Sequence, residues 1–222
     1  MITAQAQEYL EAIYRLGGQD VPVQLSDLAE RLNLTAPSVN EMVRRLEEQH
    51  LVNYVPYKGV QLSAEGVCEA LEVIRRHRLW ERFLTDVLGL SWAVVHEEAC
   101  RLEHAASNQV TERLAVLLDH PERCPHGMPL PPPGCQPTLP VDAVPLARLP
   151  LRQRGRVAYI ASEEPELLRY LESLDLLLDA QVVVEAVAPF DGPLTVRVND
   201  GLHVIGHNAA QMVYIIPIEG ER

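Results

Sequence analysis

Residues 35–62, TAPSVNEMVRRLEEQHLVNYVPYKGVQL, decide how the first part of the chain is read. Ala36-Pro37 opens a helix, since proline has no N–H to lose in a first turn. Val39, Met42, Val43 and Leu46 then recur at helical spacing along SVNEMVRRLEEQH. Behind this helix, Leu51–Val55 and Val60–Leu62 read as two short strands around a turn at Tyr57-Lys58-Gly59. On the N-terminal side, Asn33-Leu34-Thr35 is a polar break. Ser26 is the expected N-cap of a helix DLAERL, with Glu30 supporting its first turn. Tyr9, Leu10, Ile13, Tyr14 and Leu16 mark an earlier helix, which Gly17-Gly18 stops.

Two short helices, a polar break and a hairpin with a basic tip make a winged helix-turn-helix over residues 1–64. Such a fold reads DNA when the second helix begins with small or polar side chains that reach base edges. Thr35, Pro37, Ser38, Asn40 and Glu41 supply that edge, and Arg44 and Arg45 follow one turn later for phosphate contact. Lys58, the only lysine of the chain, sits at the wing tip. A plain helical bundle with an incidental hairpin is the alternative, and the order of the signals favours the DNA-binding fold.

The chain has 222 residues, 47% of them hydrophobic and 23% charged, enough for two or three domains with buried cores. Its net charge of −12 excludes a generic polyanion binder, so any nucleic-acid contact must come from a shaped local surface. All of its 19 cations except Lys58 are arginines, the bidentate and phosphate-competent kind. No apolar run approaches the ~18 residues needed to span a membrane. The opening MITAQAQEYLEAIYRL carries acids where a signal peptide needs cations. Cysteines 68, 100, 124 and 135 are widely spread, which predicts a reducing cytoplasm and no disulfide framework, with Cys68 packed in a core.

Ser63-Ala64-Glu65 opens a long helix reaching about Leu88, where Gly89 ends it, and a further helix is expected from Ser91 to Leu118. Residues 65–120 thus form a helical domain. Proline and glycine crowd PERCPHGMPLPPPGCQPTLP, so residues 121–150 read as a linker. The period then changes to β-type runs at Val157–Ile160, Gln181–Val187, Leu194–Val198, Leu202–Ile205 and Val213–Ile218, with one helix at Glu164–Leu174. A small barrel over residues 151–222 is the expected third domain, and the class is α+β.

The two central helices carry the strongest chemistry. His77 and Glu81 share one face of the first, at a spacing of four. On the second, His96, Cys100, Glu103 and His104 point one way at about 100° per residue. His96 and His104 would lie about 12 Å apart along that axis, too far for one ion to take both. Two sites follow, His77, Glu81 and His96 in one, and Cys100, Glu103 and His104 in the other. Glu8 and Glu11 on the first helix are the best additional donors for the Cys100 site. Carboxylate and imidazole suit Mn(II) or Fe(II), while the thiolate pulls towards Fe(II), Co(II), Ni(II) or Zn(II). Cys124-Pro-His126 with Cys135 lacks a fourth ligand for a zinc clip and is read as part of the linker.

The runs HRLWERFLTDVLGL and VHEEACRLEHAAS, between a winged helix and CPHGMPLP, resemble the diphtheria-toxin-repressor family of metal-dependent regulators of iron and manganese uptake. The resemblance implies a homodimer on a palindromic duplex operator, with Mn(II) or Fe(II) as corepressor at two sites per subunit and an SH3-like (FeoA-like) third domain. It makes His77, Glu81 and His96 an ancillary site. Cys100, Glu103 and His104 become the primary site, with Glu8 in the position of the first-helix ligand. Iron-type members have Met there and manganese-type members Asp. Glu8 and Glu11 therefore look manganese-like, whereas Cys100 is the iron-type choice. Glu164 is the implied ligand from the third domain, with Leu167 where a Gln ligand would stand. Two other readings compete. A metallohydrolase lacks a general base near the ligands, and a winged-helix regulator of an organic ligand leaves the ligand face unused.

Overall fold

The structure, a computed structural model, describes residues 2–138 and 142–218. Met1, residues 139–141 of the expected linker and 219–222 of the expected third domain lie outside the described residues. The chain forms two compact units, one of residues 1–77, 101–111 and 131–138, the other of 78–100, 112–130 and 139–222.

The first unit begins with three helices, α1 (Ala4–Arg15), α2 (Leu25–Leu32) and α3 (Ala36–Glu48). The Thr3 hydroxyl caps α1 by accepting from the Ala6 N–H at 3.2 Å, and Gly17, at φ 85°, takes the left-handed turn beyond its end. Helix α2 starts two residues earlier than expected. Gln24 is its N-cap, and Ser26 sits inside the first turn with its hydroxyl donating to Asp27 rather than to the helix end. Asn33 closes α2 in the left-handed conformation that asparagine tolerates, so the polar break is a C-cap. The wing follows as β1 (Val52–Val55) and β2 (Gly59–Leu62), antiparallel, with Val55 opposite Gly59. Tyr9, Leu10, Ile13, Leu28, Val39, Leu46 and Val60 fill the core between these elements.

Helix α4 (Ala64–Asp86) is as long as its sequence predicts, and Gly89 at φ 70° follows its end. The next expected helix is instead two, α5 (Val95–Glu103) and α6 (Asn108–Leu117). Ser107 explains the break, since its hydroxyl and carbonyl accept from Val110 and Thr111 and start a new helix. His104 therefore lies just beyond α5 rather than on a continuous helical face.

The expectation of unpaired cysteines fails at Cys68 and Cys135, which are disulfide-bonded with Cα atoms 4.6 Å apart. Both belong to the first unit, where the Arg75 guanidinium also donates to the Pro131 carbonyl at 2.9 Å. The two cysteines are 67 residues apart, and only the tertiary path of residues 131–138 brings them together.

The second unit holds a six-stranded antiparallel sheet in the order β3-β8-β4-β5-β6-β7. Its strands are β3 (Val144–Pro145), β4 (Arg154–Ile160), β5 (Gln181–Val187), β6 (Leu194–Val198), β7 (Gly201–Ile205) and β8 (Val213–Ile218). Helices α7 (Pro165–Ser173) and α8 (His207–Met212) complete it. Among the described residues no pairing joins β3 to β7, so the small β domain is an open sheet and not a closed barrel. Its core includes Val157, Ile160, Leu168, Leu171, Val184, Val196 and Ile215. Part of the expected linker is structured. Residues 144–145 form β3, and the Cys124–Gly127 turn is fixed by Gly127 N–H donating to the Cys124 carbonyl. Ile160 N–H donates to the His126 carbonyl at 2.9 Å and ties that turn to β4. Among the described residues no helix is long and apolar enough to cross a membrane.

Candidate metal centres and nucleic-acid interface

The proposed DNA-reading residues lie on a solvent-exposed edge of the first unit. Thr35, Pro37, Ser38, Asn40, Glu41, Arg44, Arg45 and Lys58 are all exposed, while Val39, Met42, Val43 and Leu46 turn inward. The Thr35 and Ser38 hydroxyls lie 3.0 Å apart at the start of α3. Arg45 is held by Glu41 at 2.5 Å, one turn earlier on the same exposed face. Such a surface pair is weak and easily exchanged for a phosphate. Tyr54 N–H donates to Glu47 Oε1 at 3.0 Å, which links the wing to the end of α3.

One ligand cluster lies in the first unit. Glu103, at the last turn of α5, is only 2% exposed and receives two histidines. His77 Nδ1 stands 2.6 Å from its Oε2, and His104 Nε2 stands 3.1 Å from its Oε1. Burial alone would push the Glu103 carboxyl up, but hydrogen bonds from His104 and His77 outweigh it and hold the group below its ordinary 4.5. His104 is raised in turn, first by its hydrogen bond to Glu103, against the opposing effect of burial, and further by the charges of Glu8 and Glu11.

The ring of His104 is oriented for ligation. Its Nδ1–H donates to the Gln7 amide oxygen at 2.9 Å, which leaves Nε2 facing Glu103 and, at 3.9 Å, Glu8 of α1. A histidine with one N–H committed to a neutral acceptor and its other nitrogen turned to carboxylates has the form of a metal ligand. Glu11 is paired with Arg15 at 2.8 Å and acts on His104 through its charge.

The other cluster lies in the second unit. His96 Nδ1 is 3.9 Å from Glu81 and 3.4 Å from Glu163, and its Nε2 is 3.7 Å from Cys100 Sγ. Glu81 Oε1 lies 3.4 Å from His126 Nδ1, which in turn is 3.9 Å from Cys124 Sγ. Glu81, Cys124 and His126 are 1–2% exposed, and their ligand atoms all fall within 4.8 Å of one another. Here too a neutral acceptor fixes the ring, since His126 Nε2–H donates to the Trp92 carbonyl at 2.9 Å and leaves Nδ1 facing carboxylate and thiol. Burial opposes charging of His126, yet its hydrogen bonds to Cys124 and Glu81 overcome that and push it up to about 11. Glu81, Cys124 and His126 thus present three buried donor atoms close enough together to hold a cation. The mixed oxygen, nitrogen and sulfur donors fit a divalent transition metal.

Of the expected ligands, Glu81 and His96 come together in the second unit and Glu103 and His104 in the first. His77, one turn before Glu81 on α4, bonds Glu103. Cys100 shares α5 with Glu103 and lies against His96. Glu164 is exposed and precedes α7 as its N-cap, and Glu163, one residue earlier, is the acid that reaches His96. Cys124 and His126 were visible as C-P-H, but the missing partner is Glu81, a residue already assigned elsewhere, rather than Cys135.

Three family models match the chain. "Iron dependent repressor, N-terminal DNA binding domain" covers residues 1–60, "Iron dependent repressor, metal binding and dimerisation domain" covers 63–132, and "FeoA domain" covers 144–217. The diphtheria toxin repressor of Corynebacterium glutamicum is 42% identical over 123 residues, 55% of this chain and 54% of that protein. The iron-dependent repressor IdeR of Mycobacterium tuberculosis is 41% identical over 123 residues, with the same coverage of 55% and 54%. The match therefore spans about half the length of these curated relatives. A solved manganese-dependent transcriptional repressor in complex with manganese superposes with a TM-score of 0.85 at 36% identity, over 96% of this chain and 100% of that one. ScaR with bound Cd2+ gives a TM-score of 0.82 at 28% identity, over 96% and 99%. With the winged helix, the ligand-bearing helices and the FeoA sheet matched in order, the chain belongs to the diphtheria-toxin-repressor and MntR family, whose members are DNA-binding transcriptional repressors and not enzymes.

Proposed function

We propose that the protein is a metal-responsive transcriptional repressor that controls manganese or iron uptake genes in the cytoplasm, with Mn(II) or Fe(II) as corepressor. It acts as a homodimer on a palindromic operator. The observation that carries this reading is His104, whose ring stands between Glu103 at the end of α5 and Glu8 on α1 of the DNA-binding fold.

Two centres per subunit are assigned. Glu8, Glu103 and His104 form the first, with Glu11 adding charge. Glu81, His96, Glu163, Cys124 and His126 form the second, with Cys100 beside His96. A bound divalent ion supplies a +2 charge among carboxylates and a thiolate, and so offsets local repulsion of phosphate. Glu8 and Glu103 then hold α1 and the end of α5 in one orientation. Dimer partners so ordered present their α3 helices about 34–36 Å apart, one turn of DNA. Metal has this effect only through differential affinity for the DNA-competent state.

Anaerobic DNA-binding titrations with Mn(II), Fe(II), Co(II) and Zn(II), using a duplex selected from a random pool, test the proposal. Affinity for that duplex should rise at least tenfold with the cognate ion. Equal affinity with and without metal would sink it and favour a regulator of another ligand.

A further inference from the structure

Two of the four cysteines serve neither metal centre. Cys100 and Cys124 are free thiols within the donor clusters, whereas Cys68 and Cys135 are bonded to each other. In a cytoplasmic protein such a bond lasts only while conditions are oxidising, and there it is a redox element more often than a permanent staple. Cys68 and Cys135 are both half-buried, within reach of a reductant.

The bond fastens a strap to α4. Residues 131–133 are three prolines, which have no N–H with which to hold themselves to a neighbour. At one end the buried Arg75 guanidinium donates to the Pro131 carbonyl at 2.9 Å, and at the other Cys135 is bonded to Cys68. Arg75 and Cys68 are two turns apart on α4, about 10 Å at 1.5 Å per residue, which four residues of chain can span. The anchor at Cys68 is fixed. Gly66 N–H donates to Ser63 Oγ at 3.0 Å, and a Cβ at Gly66 would stand 1.9 Å from the Leu51 carbonyl oxygen. The Arg75 end bears on the metal, since Arg75 lies two residues before His77, whose Nδ1 is 2.6 Å from Glu103 Oε2. A strap that covers Arg75 steadies the turn of α4 from which His77 positions Glu103. All of these residues belong to the first unit.

We propose that the Cys68–Cys135 bond is a redox clasp that sets the metal affinity of the centre at Glu103 and His104. A dithiol reductant of the thioredoxin class opens it. One reductant thiolate attacks either sulfur to form a mixed disulfide, and the second thiolate displaces it. The reductant leaves as a disulfide, and two electrons and two protons end on Cys68 and Cys135 as thiols. The strap then keeps only its non-covalent hold, water reaches the Arg75 guanidinium, and the turn carrying His77 loosens. The oxidised protein therefore responds at a lower metal concentration than the reduced one. The proposal rests on the metal-responsive, cytoplasmic reading above and adds a second input to it.

The test compares the full chain isolated without reductant and the same chain reduced by a phosphine that is then removed anaerobically. Thiol titration in denaturant should count the two free cysteines in the first sample and all four in the second. Calorimetric titration with Mn(II) should give an affinity about fivefold weaker after reduction, less than the 10- to 100-fold cost of deleting an orienting partner outright. Cys68→Ser and Cys135→Ser should each match the reduced wild type and ignore the phosphine. Four thiols in the unreduced chain would overturn the proposal. So would an equal loss on reducing Cys68→Ser, which would place the effect at Cys100 or Cys124. Oxidised and reduced chains that bind Mn(II) within twofold, with only the melting temperature lowered, would make the bond a staple and leave the regulator reading intact. An absence of Mn(II)-dependent binding to the selected duplex in both states would overturn that reading and the clasp together.

Discussion

His77 Nδ1 and Glu103 Oε2 lie 2.6 Å apart with both side chains buried, so the residue expected at the ancillary centre holds Glu103, which we propose as a ligand of the primary one. The contact is a charge-assisted hydrogen bond between two buried groups of the first unit. His104→Ala should abolish metal-dependent DNA binding. His77→Ala should weaken it by about 10- to 100-fold, the usual cost of losing the partner that orients a ligand. Metal titrations of DNA affinity decide this, and full loss in both variants would mean that the centres act as one.

Arg44 and Arg45 on α3 are expected to contact phosphate. Replacing either by Ala should weaken binding to all sequences similarly and flatten the salt slope by roughly one unit. A changed base preference with an unchanged slope would instead place that arginine on a base edge.

Metal preference should follow the donor atoms. Fe(II) outbinds Mn(II) at most nitrogen, oxygen and sulfur sites, and a thiolate widens the gap. Cys100→Glu should move the response towards Mn(II), and Glu8→Met towards softer ions. Peroxide should silence the wild type more than Cys100→Glu, because a sulfenic acid is a poorer ligand than a thiolate. If Cys100→Glu leaves the ratio of Mn(II) to Fe(II) affinities within about twofold, or ~0.4 kcal/mol, the donors do not set the preference.

The metal-free protein should respond to pH at both ends. Glu103 is held below its ordinary 4.5, so its stabilising contribution is present above that value and is lost as pH falls through the lowered one. His126 is raised from 6.5 to about 11, so its contribution is complete below 6.5 and drains away between those values. Metal affinity should run the other way and rise with pH, since an ion must displace the His126 proton. Melting curves of the apoprotein from about pH 3 to 10 and calorimetric metal titrations from about pH 6 to 9 measure these trends. Metal affinity that does not change with pH would exclude His126 as a ligand.

The winged helix was legible because its signals are local. Val39, Met42, Val43 and Leu46 mark the buried face of α3, and Gly17, Asn33 and Gly59 mark turns that need special backbone angles. The β runs of the FeoA sheet were legible for the same reason, through the apolar stretches that became β4 to β8. The ligand partnerships were less so. Helical spacing put Glu81 and His77 on one face but gave no means of seeing that Cys124 and His126 return to Glu81 from a proline-rich segment. Ser107 broke a helix that periodicity alone would continue, and His104 left the helical face as a result. The Cys68–Cys135 bond depends on a tertiary path that no spacing encodes.

The turn at Cys124–Gly127 has a consequence for how the protein can be divided. Gly127 sits at φ 87°, where a Cβ would stand 2.3 Å from the Ala158 carbonyl oxygen, and the His126 carbonyl accepts from Ile160 of the same strand. The sheet is therefore the template against which two donors are set, and not a detachable module. A chain cut after residue 143 would keep Glu81, His96, Cys124 and His126 in its sequence while losing β4, which holds their geometry, along with Glu163. Such a truncation should bind one equivalent of metal fewer than the full chain, and the FeoA portion added as a separate polypeptide should restore it only to the extent that it re-forms that strand contact.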